Sequence, residues 1–167
     1  MLNKLRVSIA LVVFSAVTAG CEDTVKPSST VKSVTPVYQG RHCGRSDPAA
    51  RVTWIQSEAE LQDVHRKMHR DSLQAPPLPG VDFETDGLVL IELGRRPTAG
   101  YQMHLASQHM VLDKGDGVIT FSVDKPAGPA AQVITSPCLL VAVPRGGYRG
   151  VRALSTDTTI SVQTDLP

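Results

Sequence analysis

Aromatic residues are scarce in this chain: Phe, Trp and Tyr together make up 4% of it. Val, Ile, Leu and Ala must therefore fill any core. Neither sign of charge dominates, with 17 Lys+Arg against 16 Asp+Glu. Removing an N-terminal leader that carries Lys4 and Arg6 would leave 15 against 16, a net charge near −1. That is no electrostatic footprint for nucleic acid. The signatures of the common catalytic sites are also missing. His65 and His69 share a helical i, i+4 spacing, but Arg66 stands where a zinc peptidase needs its glutamate base. Arg66, Lys67 and Arg70 surround the pair with positive charge, so it reads as a solvated basic face. Gly94 and Gly100 bracket five residues where a phosphate loop has four, and Tyr101 replaces its lysine. No Gly-x-Ser-x-Gly elbow, no Gly-x-Gly-x-x-Gly loop and no carboxylate pair stands out. Two Ser-x-x-Lys matches, Ser29 to Lys32 and Ser122 to Lys125, have no partner motif. No metal, cofactor or catalytic residue is expected.

The N-terminus has a recognisable pattern. Lys4 and Arg6 precede the apolar run 7–20, which is 14 residues long. That is short of the ~20 residues a membrane-spanning helix needs. A basic start, a short apolar run and small residues before a cut describe a secretory signal over 1–20. The stretch "VTAGC" resembles the lipobox of bacterial lipoproteins, with Thr18 in place of the usual leucine. The resemblance implies that Cys21 is lipidated and becomes the new N-terminus. Ordinary signal cleavage with a free Cys21 is the alternative. Residues 21–33 then read as a tether, because they are polar and lack apolar periodicity. A single domain of roughly 130 residues, 34–167, follows, enough for a real core.

Three cysteines are present. With Cys21 acylated, Cys43 and Cys138 remain. An even pair in an exported domain reads as one disulfide; two separate thiols are the alternative. Zinc at Cys43 with His42 lacks further ligands at finger spacing.

The periodicities describe a mainly β chain. Short strands are expected at 33–40 (an edge strand, because of Pro36), 51–56, 101–106, 118–124 and in the last twenty residues. The run 87–93 is nearly all apolar, as in a strand buried on both faces. A long strand is expected over 132–143, bent at Pro137. One helix is expected from Glu58 to about Arg70. Ser57 and Glu60 form its capping box, and Leu61, Val64 and Met68 its apolar stripe. The fold class is a β-sandwich or open barrel with one packed N-terminal helix.

The turn "GRRPTAGY" joins two of these strands. Gly94 and Gly100 suit positive φ and Pro97 fixes its own φ, so the turn is stiff. Arg95 and Arg96 suit carboxylate contacts at its tip. Pro97, Thr98, Gly100 and Tyr101 hold the shape of this candidate binding loop. With Gly94, and with the later Gln132, Thr135 and Pro137, the pattern resembles the C-terminal domain of the PrcB protease-complex subunit family. The likeness spans about 81–145. It implies an exported lipoprotein that associates with a secreted or envelope protease and does not itself cleave bonds. "RPTAGY" is also similar to one loop of the chagasin-like peptidase inhibitors, which are immunoglobulin-like sandwiches. There the loop 144–150, "PRGGYRG", and the turn "DKGDG" would have to supply the inhibitor's other two loops. Together the resemblances imply an envelope lipoprotein, membrane-bound through its lipid, acting as a non-catalytic protein-binding module. A chagasin-like inhibitor and a purely structural lipoprotein are the alternatives.

Overall fold

The computed structural model describes residues 30–70 and 72–167. The proposed leader, Cys21 and residues 22–29 lie outside them. Among the described residues the elements run β1 (Val31–Ser33), β2 (Thr35–Gly40), β3 (Arg51–Ile55), α1 (Glu58–Met68), β4 (Asp86–Glu92), β5 (Gln102–Leu105), β6 (His109–Asp113), β7 (Asp116–Asp124), β8 (Cys138–Pro144), β9 (Gly150–Ser155) and β10 (Ser161–Asp165). No described helix is long and apolar enough to cross a membrane.

Two sheets face each other, as the sandwich reading expected. One has the order β2-β8-β4-β3 and the other β1-β6-β7-β9-β10, with β5 also paired to β7. Strands β5 and β6 share one edge of the nine-residue β7, broken between Leu105 and His109. The pairings are antiparallel except β7 with β9.

Period two decides what β4 and β8 bury. Val89, Ile91, Leu139, Val141 and Val143 point between the sheets and meet Phe121, Ile119, Met103 and Met110. The alternate residues Leu88, Leu90, Cys138 and Leu140 point the other way, onto Leu61 and Met68 of α1. A strand with a core on each face has no solvent side, which is why 87–93 carries almost no polar residue. Fully burying each aliphatic side chain contributes about 1.5–3 kcal/mol, so these two strands supply much of the driving force.

Helix α1 begins as its sequence dictates. The Ser57 hydroxyl accepts from the Glu60 amide at 3.3 Å. The Glu60 carboxylate accepts from the Gln56 amide at 2.9 Å, one residue before the expected position. The helix closes at His69, whose amide donates to the His65 carbonyl.

Three local expectations change. Val31–Ser33, assigned to the tether, pairs with β6 as β1. A strand that earns its place by backbone pairing carries no apolar signature. Residues 109–113, assigned to no element, form β6. The long strand over 132–143 starts only at Cys138. Pro137 lacks an N–H and constrains Ser136, so 132–136 leaves the ladder and touches neighbours through single bridges, Arg96 with Thr135 and His42 with Ser136.

Cys43 and Cys138 are joined, with Cα atoms 6.0 Å apart across a sequence separation of 95. Closing so long a loop stabilises by ~4–5 kcal/mol on the chain-entropy account. Replacing both cysteines with alanine should lower the unfolding free energy by about 2–5 kcal/mol. Urea unfolding of the variant beside the parent, read by circular dichroism, checks this; superimposable curves would contradict it.

Candidate binding platform

The turn 94–100 does not stand alone. Three irregular segments, 41–49, 94–100 and 131–137, meet at one pole of the sandwich. Backbone bonds tie the second to the third. The Arg96 amide donates to the Thr135 carbonyl at 2.7 Å, and the Thr135 amide returns to Arg96 at 3.0 Å. The Ala99 amide donates to the Ala131 carbonyl at 3.0 Å. The Thr135 side chain is buried, and its hydroxyl donates to the Thr98 carbonyl at 3.1 Å.

The first segment braces the second. The Arg95 amide donates to the Asp47 carbonyl at 2.8 Å. Gly94 has φ +81°, and a Cβ there would lie 2.5 Å from the Pro48 carbonyl oxygen. No other residue fits that approach. Gly100 also has positive φ, +95°, as the turn reading expected. The bracing segment is held by charge. Glu92 is buried and takes Arg51 at 3.2 Å and Arg45 at 3.6 Å. Arg45 also grips Asp47 at 3.0 Å and the Ala49 carbonyl at 3.2 Å.

The two arginines of the turn separate in role. Arg96 folds back. Its guanidinium donates to the carbonyls of Leu93 at 2.6 Å, Arg95 at 3.0 Å and Pro48 at 3.1 Å. The expectation that it offers contacts at the tip is corrected: its donors are spent on backbone carbonyls of the turn's start and of the bracing segment. Arg95 is exposed, and its side chain has no partner among the described residues. Pro97 is exposed beside it. Tyr101 packs its ring on the edge of the inter-sheet core, while its hydroxyl bonds to no described residue.

The loop 144–150 lies at the opposite pole. Glu92 pairs with Cys138 at one end of β4 and Asp86 with Pro144 at the other, roughly 20 Å away at strand rise. Tyr148 in that loop is buried. Its hydroxyl donates to the Pro144 carbonyl at 2.6 Å, and its ring meets Trp54 edge-on at 6.5 Å. Burial pushes this phenol up to about 12, with Arg145 opposing and Asp86 adding to the rise. The turn 113–116 sits at the same far pole, where the Arg149 amide donates to the Gly115 carbonyl. A three-loop wedge built from 94–101, 113–117 and 144–150 is therefore not formed.

His65 and His69 are not a solvated face. Their rings lie 4.5 Å apart, and His69 meets Tyr38 edge-on at 5.6 Å. The Nε2 atoms of both are buried without a hydrogen bond. Among the described residues no set of three His, Cys, Asp or Glu converges on a metal position.

An open groove of about 930 Å³ runs beside the platform. It is bounded by the end of β2, the C-terminal turn of α1, Arg95 and residues 134–136. Its existence follows from Pro137, which turns 132–136 away from the sheet and leaves Ile134 54% and Val133 49% exposed. No local pattern announces it, because its walls come from four distant segments.

The pairing of turn and later segment is the decisive geometry: a Pro-Thr turn whose carbonyl is held by a threonine hydroxyl some forty residues on. Residues 88–144 match the PrcB C-terminal family. No curated protein and no solved structure matches the chain. The PrcB-like motif residues have visible work here. Gly94 admits the Pro48 carbonyl, Thr135 ties the turn to the third segment, and Pro137 ends the bridge so that β8 can begin. Its carbonyl accepts from the Leu93 amide at 2.9 Å. Gln132 is exposed and bonds to no described residue.

Two predictions follow from these contacts. Arg96→Ala should cost about 1–2 kcal/mol by orphaning backbone carbonyls, and Gly94→Ala about 1–3 kcal/mol by strain. Arg95→Ala should stay within about 0.5 kcal/mol. Chemical denaturation of the three variants distinguishes them, and equal losses for Arg95→Ala and Arg96→Ala would contradict the division of roles.

His69 gives a pH dependence. Burial, reinforced by His65, lowers its pKa. The unfolded chain then binds more protons than the folded one just below the ordinary histidine value of about 6.5. Stability from this group is complete above that value and declines as pH falls through it. Asp157 is also held well below the carboxylate range, by hydrogen bonds from Ser155 and Thr159. Its contribution is lost only below the ordinary Asp value of about 4. Melting temperature should fall from pH 7.5 to pH 5, and His69→Gln should flatten that slope; an unchanged slope in the variant would show that His69 is not responsible.

Proposed function

We propose that the chain is an envelope lipoprotein whose domain serves as a non-catalytic protein-binding module, an accessory subunit of a protease complex. The observation that carries this reading is the braced turn. Its backbone is fixed by hydrogen bonds from two neighbouring segments, and the side chains of Arg95 and Pro97 are left exposed at its tip. A pre-ordered loop loses little entropy on association. The match of 88–144 to the PrcB C-terminal family supports a protease as the partner class.

The leader pattern before Cys21 supports the anchor. The β1 strand begins ten residues after Cys21, a reach of at most about 35 Å. Its start pairs with Val111, at the pole of 113–116 and 144–150. The platform is at the other end of the sandwich. An acyl chain on Cys21 would therefore hold the domain close to the bilayer with the turn 94–100 pointing away from it.

The test is capture. The full chain, tagged and purified in mild detergent, is incubated with extract of its own envelope, and eluates are assayed for peptidase activity and identified. A co-eluting peptidase that is lost on Arg95→Ala with Pro97→Ala, at unchanged melting temperature, is the expected result. Recovery of no peptidase, or of the same set by a variant unfolded at this pole, would sink the reading.

A further inference from the structure

The groove beside the platform has a one-sided charge. Arg41, Arg45 and Arg95 line it, with His42 and His69, and none of its lining residues is Asp or Glu. The chain as a whole is nearly neutral, so the segregation is local. The nearest carboxylates of the platform are already engaged, since Asp47 and Glu92 are both held by Arg45. Arg41 and Arg95 are exposed, and their guanidinium groups make no hydrogen bond or ion pair to a described residue.

One exposed apolar side chain, Ile134, lines the same groove, and others stand in the segments beside it. The large hydrophobic side chains exposed among the described residues are Val31, Leu73, Leu78, Val111, Val133 and Ile134. Val31 and Val111 are register partners of β1 and β6, at the opposite pole. The other four fall in two segments, 72–78 and 133–134, that contribute Ser72, Pro76 and Ile134 to the groove wall. Free guanidinium groups beside exposed aliphatic side chains select an anion that also carries apolar bulk. Guanidinium suits carboxylate because it donates in a planar fork. The groove is open, and through Arg95 it continues from the turn already read as the contact surface.

We propose that this groove receives an acidic, partly apolar segment of the partner protein. Arg41 and Arg95 take its carboxylates and Ile134 packs its aliphatic or aromatic side chain. This rests on the reading of the domain as a protein-binding module, and it names the chemistry of the bound segment.

The test uses the full chain and two labelled decapeptides, one alternating Glu with Leu and one alternating Lys with Leu, followed by fluorescence anisotropy. The Glu peptide should bind and the Lys peptide should not. Raising salt from ~50 to ~500 mM should weaken binding on the order of tenfold, as screening demands. Arg41→Glu with Arg95→Glu should abolish Glu-peptide binding and admit the Lys peptide, with the melting temperature unchanged. Equal binding of the two peptides, or no effect of the charge reversal, overturns the proposal. So does Arg41- and Arg95-dependent binding to anionic lipid vesicles without peptide binding, which would make lipid headgroups the ligand. The broader reading fails separately. A reversed chain that still captures the peptidase overturns the groove assignment alone. A parent chain that binds the Glu peptide but captures no peptidase keeps the groove and removes the protease.

Discussion

The bond between Cys43 and Cys138 fixes the starting point of everything at the platform pole. Cys138 is the first residue of β8 and is fully buried under α1. Cys43 sits in a long irregular segment with no ladder of its own. Beside the covalent link, the Cys43 amide donates to both the carbonyl and the hydroxyl of Ser136 at 2.9 Å, and the Ser136 amide returns to the Arg41 carbonyl. The segment 41–49 is thereby registered against the sheet. Only then can the Asp47 and Pro48 carbonyls stand where Arg95 and Arg96 donate to them. The turn's shape is thus set less by its own sequence than by a segment fifty residues earlier.

Much of the frame was legible because it obeys local rules. The two-faced strand β4 announced itself by lacking polar residues, and α1 by a serine, a glutamate and an apolar stripe. Positive φ at Gly94 and Gly100 was readable from two glycines bracketing a tight turn. The disulfide followed from cysteine parity. What escaped was decided by pairing at a distance. Strand β1 looks like tether because Val31, Lys32 and Ser33 carry no apolar pattern and are held chiefly by backbone pairing to β6. The stretch 132–136 looks like strand, since Gln132, Val133 and Ile134 fit one, but Pro137 interrupts the ladder and the backbone bonds of Thr135 with Arg96 and of Ser136 with Arg41 hold the stretch outside it.

The site shows the same division. Which residues form the turn was plain, and so was their PrcB-like spacing. Which of the two arginines is available was not, because Arg95 and Arg96 differ only in where the backbone aims them. Arg96 lies within reach of three carbonyls, and Arg95 faces the groove. Arg41, equally prominent in the groove, carries no motif at all. It became visible only when the end of β2 was brought beside Arg95 by the strand order β2-β8-β4.

The course of β1 and β2 has a mechanical meaning. Together they run from one pole of the sandwich to the other, and β2 leads directly into Arg41 and Cys43. A load applied at the groove and resisted at an acylated Cys21 would travel along this single stretch of backbone. The disulfide then shares it with the central strand β8. Peptide and sulfur–sulfur bonds, not hydrogen bonds, lie in series between the two ends. The sheets would be loaded along their strands, in shear across all the β2–β8 pairs at once, and not unzipped one pair at a time. A domain strung this way would bear a pull between its two poles without opening its core.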